Sequence, residues 1–393
     1  MRLPTGIISS HALLALAWLI MPASNVPAQF VLFDIAHTNV GGHAEGVAVA
    51  GNYLYLANGE DGLRIFDVSN PSAPIGLGHA NDGGYARAVA VSGNFAYLAN
   101  DTNGVVAYDV TDPSAPVSVA TNSLGGAAQG VAVGTNLVFV ANGTNGLGIH
   151  QGSDLARLGV LSGAGFAQGV ASAGNYVYVA DGSSGLVVGD VSDPAHPSAV
   201  FANQPSPYGF AGGVALDGTY AYLANGMDGL RIYNISNPAS PVNVGHSADR
   251  HGLLNSASIA VADGYAYMTD GLLGLGVYDV FTPASPTNLF YVSAGGFTAG
   301  VAVGNNCVYV ADWDEGLRVY QIVPRLYIAA TTTNSLLISW TTAILNGSLQ
   351  QNSDLNSANW TTISAPLSVI GHRYQALITP TPPSPAFYRL RIR

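Results

Sequence analysis

Charged side chains make up only 9% of this 393-residue sequence, so places where they gather with imidazoles and aromatic rings stand out. The clearest set comes just before a recurring run of small apolar residues. Glu45, Arg87, Gln129 and Gln168 each precede a stretch of the type GVAV. His43 and Tyr85 lie two residues upstream of Glu45 and Arg87, Phe166, Phe210 and Phe297 hold the same place in other copies, and Asp249, Arg250 and His251 form a triplet in a longer loop. If such groups converge they could grip a ligand by hydrogen bonds and stacking. They could equally serve a hydrolase or lyase using Arg87, Glu45, His43 and His251. The plainer reading is that they hydrate a surface and pair with one another.

What must position them is a repeat. Residues 46–80 contain four short apolar runs: GVAV (46–49), YLYLA (53–57), LRIFDV (63–68) and IGLGH (75–79). Asn, Gly, Asp and Pro separate them, as in the strands of an antiparallel meander. The first run recurs at Gly46, Ala88, Gly130, Gly169, Gly213, Ser258 and Gly300, in steps of 42, 42, 39, 44, 45 and 42 residues. Seven copies of four strands at this period predict a seven-bladed β-propeller. Both faces of the first run are apolar or small, which suits a sheet buried between neighbouring blades.

The seventh copy stops at Pro324 without a fourth strand. In the first copy Ile75 lies 13 residues before Ala88, and counting 13 back from Gly46 reaches Phe33, inside FVLFDI (30–35). This N-terminal strand is therefore expected to complete the last blade and close the ring, leaving no open end to cap. The innermost strand of each blade then faces a central channel. The positions just before it are Glu45, Arg87, Gln129, Gln168, Gly212, Ala257 and Ala299, so they meet at the channel mouth on the face we call the top. The turns between second and third strands lie on the same face.

The runs GLRIFDVSNPSAP, GLVVGDVSDPAHP and GLRIYNISNPASP, each after a GVAV…YLAN-type stretch, resemble the LVIVD repeat of secreted and surface-exposed proteins. The resemblance covers about residues 30–323 and implies the propeller fold, with no common activity to carry over. The third copy departs from it: HQGSDL (150–155) replaces the D-V-S-N-P turn. Residues 325–393 read as a small C-terminal β-module with strands around LLISW (336–340), WTTI (360–363), YQALI (374–378) and FYRLRI (387–392). Its I-S-W start, the Ser353, Leu355 and Trp360 spacing, and its F-Y-R-L end resemble a module found at the C-termini of secreted bacterial proteins.

The other polar groups have local explanations. Asn58, Glu60, Asp61, Asp101, Asn142, Asp181, Asn225, Asp228, Asp270, Asp312, Asp314 and Glu315 sit on the top turns, where Asn and Asp suit tight backbone. Three carboxylates at 312–315 are the best place for calcium, yet no twelve-residue calcium loop exists. His37, His79 and His246 end fourth strands, too far apart on the outside to share a metal. Asp67, Asp109, Asp190 and Asp279 precede the bottom turn, whose backbone they can bond. The single cysteine, Cys307, is read as a buried small hydrophobe.

The fold class is thus all-β: a seven-bladed propeller (29–324), closed by an N-terminal strand, then a small β-domain (325–393). Residues 1–28 read as a signal peptide, with Arg2, an apolar core from Ile7 to Ile20 and VPA (26–28) for cleavage. A net charge of −11 argues against nucleic acid. The expected role is a secreted or cell-surface, non-catalytic binding or scaffold protein for a protein or glycan, without a cofactor or resident metal and without a membrane span after cleavage. Its candidate ligand site is His43, Glu45, Tyr85, Arg87, Gln129, Gln168, Arg250 and His251. The alternative is an extracytoplasmic hydrolase or lyase at the same mouth.

Overall fold

The computed structural model describes residues 30–162, 165–204, 206–248, 258–324, 326–331, 335–341, 347–353, 359–370, 373–378 and 387–392. The signal-like segment 1–28 lies outside the described residues. The chain falls into two compact units, residues 34–321 and the remainder.

In the larger unit the four runs of each copy pair as antiparallel strands. In the first copy Gly46–Ala50, Tyr53–Ala57, Leu63–Asp67 and Ile75–Ala80 lie side by side in chain order. The register is tight: Val47 faces Leu56, and Leu54 faces Phe66. Five further sheets repeat this order. The exception is the last sheet. Its strands Thr298–Gly304, Cys307–Asp312 and Gly316–Pro324 are joined on the outside by Phe30–Thr38, so the N-terminal strand supplies the missing fourth member.

The second strand of each sheet is buried on both faces, which explains its unbroken apolar composition. The core therefore lies between blades. Tyr55, Leu63 and Ile65 of the first blade pack against Ala96, Leu98 and Tyr108 of the second. The seam between last and first blades is packed in the same way: Leu54, Leu56 and Phe66 meet Tyr309, Leu317 and Val319, with Cys307 buried among them. The first strands of successive blades are neighbours all round, and Thr298–Gly304 lies beside Gly46–Ala50, which closes the circle. Gly300 permits that approach, since a Cβ there would stand 2.6 Å from the Glu45 carbonyl oxygen.

Two local readings hold in detail. Oδ1 of Asp67, Asp109, Asp190 and Asp279 accepts the backbone N–H two residues on, at 2.8, 2.8, 2.8 and 3.1 Å. In the third blade the altered turn puts Leu155 at a φ of 57°, and His150 is fully buried.

The second unit has a sheet of Tyr327–Ala330, Leu336–Thr341, Arg373–Ile378 and Leu367–Ile370, and another of Thr361–Thr362, Gly347–Asn352 and Phe387–Ile392. Trp340, Ile338, Leu349 and Leu390 form its core. Sequence reading found the aromatic strands and missed Tyr327–Ala330, Gly347–Asn352 and Leu367–Ile370, whose short or polar runs carry little alternation.

Candidate functional site

The first strands surround a cavity of about 310 Å³ within the larger unit. Glu45, Arg87, Gln129 and Gln168 line it from four consecutive blades, and Gly212, Ser258 and Ala299 line it from the other three. The wall is thus polar on one side and made of small residues on the other. Val47, Val89, Val131, Val170 and Val214 supply the apolar lining along the strands.

Glu45 is the best-defined group at the mouth. Its Oε1 accepts the Tyr85 hydroxyl at 2.7 Å and the Trp313 indole N–H at 3.0 Å. Burial first, and then the hydrogen bond to Glu45, push the Tyr85 hydroxyl well above its ordinary pKa, so it stays a donor. Arg87 turns aside: its Nε and Nη2 donate to Asp101 Oδ2 at 2.9 and 2.6 Å, and its guanidinium lies 4.9 Å above the Tyr85 ring. The two nitrogens of His43 each face a carboxylate at 3.1 Å, Glu60 from the first blade and Asp314 from the last. The rings form an arc. Centroid separations are 5.0 Å from Phe297 to Trp313, 5.4 Å from Trp313 to His43 and 6.1 Å from His43 to Tyr85.

Two of these residues, Asp101 and Trp313, escaped the sequence-based site. Both occupy the top-turn position that bridges to the loop before the next blade. Gly59, Gly143, Gly182, Gly226 and Gly271 hold that position elsewhere, all with positive φ. Asp101 and Trp313 adopt the same backbone at φ 47° and 32°, where a Cβ is strained. The signal was present in the repeat register: two non-glycine residues where five copies place glycine.

The remaining expected site residues divide. The Gln129 amide donates to the Ala127 carbonyl at 3.3 Å, and Gln168 lines the cavity. Phe166 and Phe210 pack on Gly143 and Gly182 of the preceding blade's turn, as Phe297 does on Gly271. Arg250 and His251, with Asp249 and Ala257, lie outside the described residues.

The outer histidines close a different account. His37, His79 and His246 each place Nε2 on a turn carbonyl, of Glu315, Asp61 and Asp228 respectively. An arginine from the third strand completes each set: Arg64 on Asp61, Arg231 on Asp228, and Arg318 on Asp312 and Glu315. Each set ties a blade's outer strand to its top turn. The 312–315 carboxylates are held by Arg318, His37 and His43. Among the described residues no three His, Cys, Asp or Glu stand together as metal ligands, and no helix is long and apolar enough to cross a membrane.

The family model described as the LVIVD repeat matches seven stretches: residues 41–82, 83–121, 125–156, 164–203, 208–249, 255–293 and 295–322. Their limits follow the blades. Among solved structures the chain is similar to the crystal structure of the computationally designed Ika8 protein, with a TM-score of 0.54 and 10% identity. The likeness covers 74% of this chain and 98% of that one, and at this identity it speaks to fold alone. No curated protein matches the chain.

Proposed function

This chain belongs to the LVIVD repeat family, and we propose that it is an extracytoplasmic binding or scaffold protein without catalytic activity. It engages a protein or glycan through the top face of the propeller. The observation that carries this reading is the fixed carboxylate of Glu45, held by Tyr85 and Trp313 at the mouth of a lined cavity. Backbone strain at Asp101 and Trp313 favours a site over a mere surface, because such strain persists where surrounding structure serves a function. A hydrolase or lyase at the same mouth would draw on Arg87, Glu45, His43 and His251, the last of which lies outside the described residues. Arg87 is bound to Asp101, and both nitrogens of His43 are taken by carboxylates, which favours recognition over proton transfer. The basic start, apolar core and small-residue cleavage signal of residues 1–28 support export.

The test is capture from a cell-surface fraction and a glycan array, using the full chain and its Trp313→Ala and Tyr85→Ala variants. Capture that both variants reduce, with unchanged melting, is expected. Equal capture by all three proteins would place recognition away from the mouth, and turnover of a captured glycan or peptide would replace binding by catalysis.

A further inference from the structure

Among the described residues the charges at the mouth do not balance. Glu45, Glu60, Asp101 and Asp314 face one described arginine and one described imidazole, and those two are engaged: Arg87 with Asp101, His43 with Glu60 and Asp314. Glu45 has only neutral donors, and both act on Oε1. Its carboxylate lines the cavity, so a negative charge is presented there with its position set and its neutralisation left to a ligand. Aromatic rings flank it. Tyr85 and Trp313 are bonded to it directly, and Phe297 extends the arc on the far side of Trp313. Trp313 is 37% exposed, so part of its surface is open to a ligand.

Neutral donors on a single carboxylate oxygen orient the group without discharging it. A carboxylate beside indole and phenol rings attracts positive charge by direct Coulomb interaction and through the ring quadrupoles. Among the described residues the opposite wall at the mouth is made of Gly212, Ser258 and Ala299, whose small side chains leave room for a group to reach Glu45. An anion would be repelled by the Glu45 carboxylate that lines the cavity, and a neutral sugar would leave that charge uncompensated. From this geometry we infer that the mouth seats an organic cation, an ammonium or guanidinium group, with Glu45, oriented by the Tyr85 hydroxyl, as its counter-charge and Trp313 as its aromatic wall. This rests on the reading of the top face as the binding surface. A lysine or arginine side chain of a protein and the amine of an amino sugar present the same chemistry.

Calorimetric titration of the full chain tests it. The cationic probes are Nα-acetyl-lysine amide, Nα-acetyl-arginine amide and glucosamine. Their neutral counterparts are Nα,Nε-diacetyl-lysine amide and N-acetylglucosamine. Cationic probes should bind saturably and weaken with added salt, and their neutral counterparts should bind about tenfold more weakly or worse. Glu45→Gln keeps an acceptor for Tyr85 and Trp313, so its melting should match the parent while cation affinity falls about tenfold or more. Preference for the amino-acid amides assigns a protein side chain, and preference for glucosamine an amino sugar. Equal binding of charged and neutral probes, no binding of any cation, or unchanged affinity in Glu45→Gln overturns the inference. A surface partner captured equally by parent and Glu45→Gln would leave the top-face reading standing and remove this one. Cation binding lost in Glu45→Gln, with no surface partner captured, would do the reverse.

Discussion

Asp101 and Trp313 stand at the same turn position of two different blades, and both hold a left-handed backbone that glycine adopts in five others. Asp101 draws Arg87 to one side of the mouth at 2.6 Å, and Trp313 pins Glu45 at 3.0 Å. Each departure from glycine thus fixes one charged group of the cavity wall. Asp101 bridges to Ala128 in the loop before the third blade, and the His43 ring lies 5.4 Å from the Trp313 ring at a tilt of 48°.

Returning these turns to glycine should separate stability from recognition. A side chain in left-handed backbone costs about 1–2 kcal/mol, and the part-exposed Arg87–Asp101 pair contributes about 0–1 kcal/mol. Asp101→Gly and Trp313→Gly should therefore melt at or above the parent temperature and lose capture by the top face. A fall in melting temperature of many degrees would show that the side chains serve packing instead.

Closure of the ring depends on its outermost N-terminal strand. Phe30–Thr38 completes the last sheet, with Asp34 paired to Arg318 at 3.1 Å. A chain starting at Asn39 exposes the edge of Gly316–Pro324. We expect a lower melting temperature and association detectable by light scattering. Unchanged melting would mean that the strand is dispensable.

Asp228 sets a prediction in acid. Burial acts to raise its pKa, but hydrogen bonds from Arg231 and Asn225 and the charges of Arg231 and His246 outweigh it and hold the carboxyl below its ordinary 3.8. A depressed folded pKa stabilises the protein above the unfolded value, and that contribution disappears as pH falls through the folded one. Asp228→Asn should be less stable near neutrality by about 1–3 kcal/mol and approach the parent below about pH 4. Parallel stability curves across that range would contradict the pairing.

His150 gives the opposite kind of handle. Its Nδ1 meets the Leu155 carbonyl at 3.1 Å, while Nε2 is buried without a partner. Burial dominates and lowers its pKa from 6.5, against the Leu155 hydrogen bond, with Arg157 adding to the lowering. The folded state stays neutral while the unfolded chain takes up a proton, so stability is full above about pH 6.5 and declines as pH drops below it. The first blade has Phe66 at this position, and Asn122 still donates to the Leu155 carbonyl at 2.8 Å. His150→Phe should raise stability by about 1–3 kcal/mol and remove that decline, as measured by denaturant unfolding at several pH values. A destabilised variant would show that the imidazole makes a bond worth keeping.

Much of the architecture was legible from residue order because its causes are local and repeated. Turn residues at fixed offsets, strands apolar on both faces and a period near 42 residues leave few solutions besides a ring of four-stranded sheets. The N-terminal strand could be assigned by counting, since the last copy lacked its fourth member. The same reasoning placed Glu45, Arg87, Gln129 and Gln168 on one wall, as strand direction alone carries them there. The short or polar strands Tyr327–Ala330, Gly347–Asn352 and Leu367–Ile370 of the C-terminal module offered no such period and were missed.

What residue order by itself determined is the number of blades, their strand order and which positions look inward, because these follow from periodicity and chain direction. Which partners those inward groups choose was decided only by the folded ring. The Glu45–Trp313 bond joins residues 268 positions apart, and His43 sits between Glu60 and Asp314. These contacts exist because closure brings the first and last blades together, and no local pattern encodes the distance across that seam.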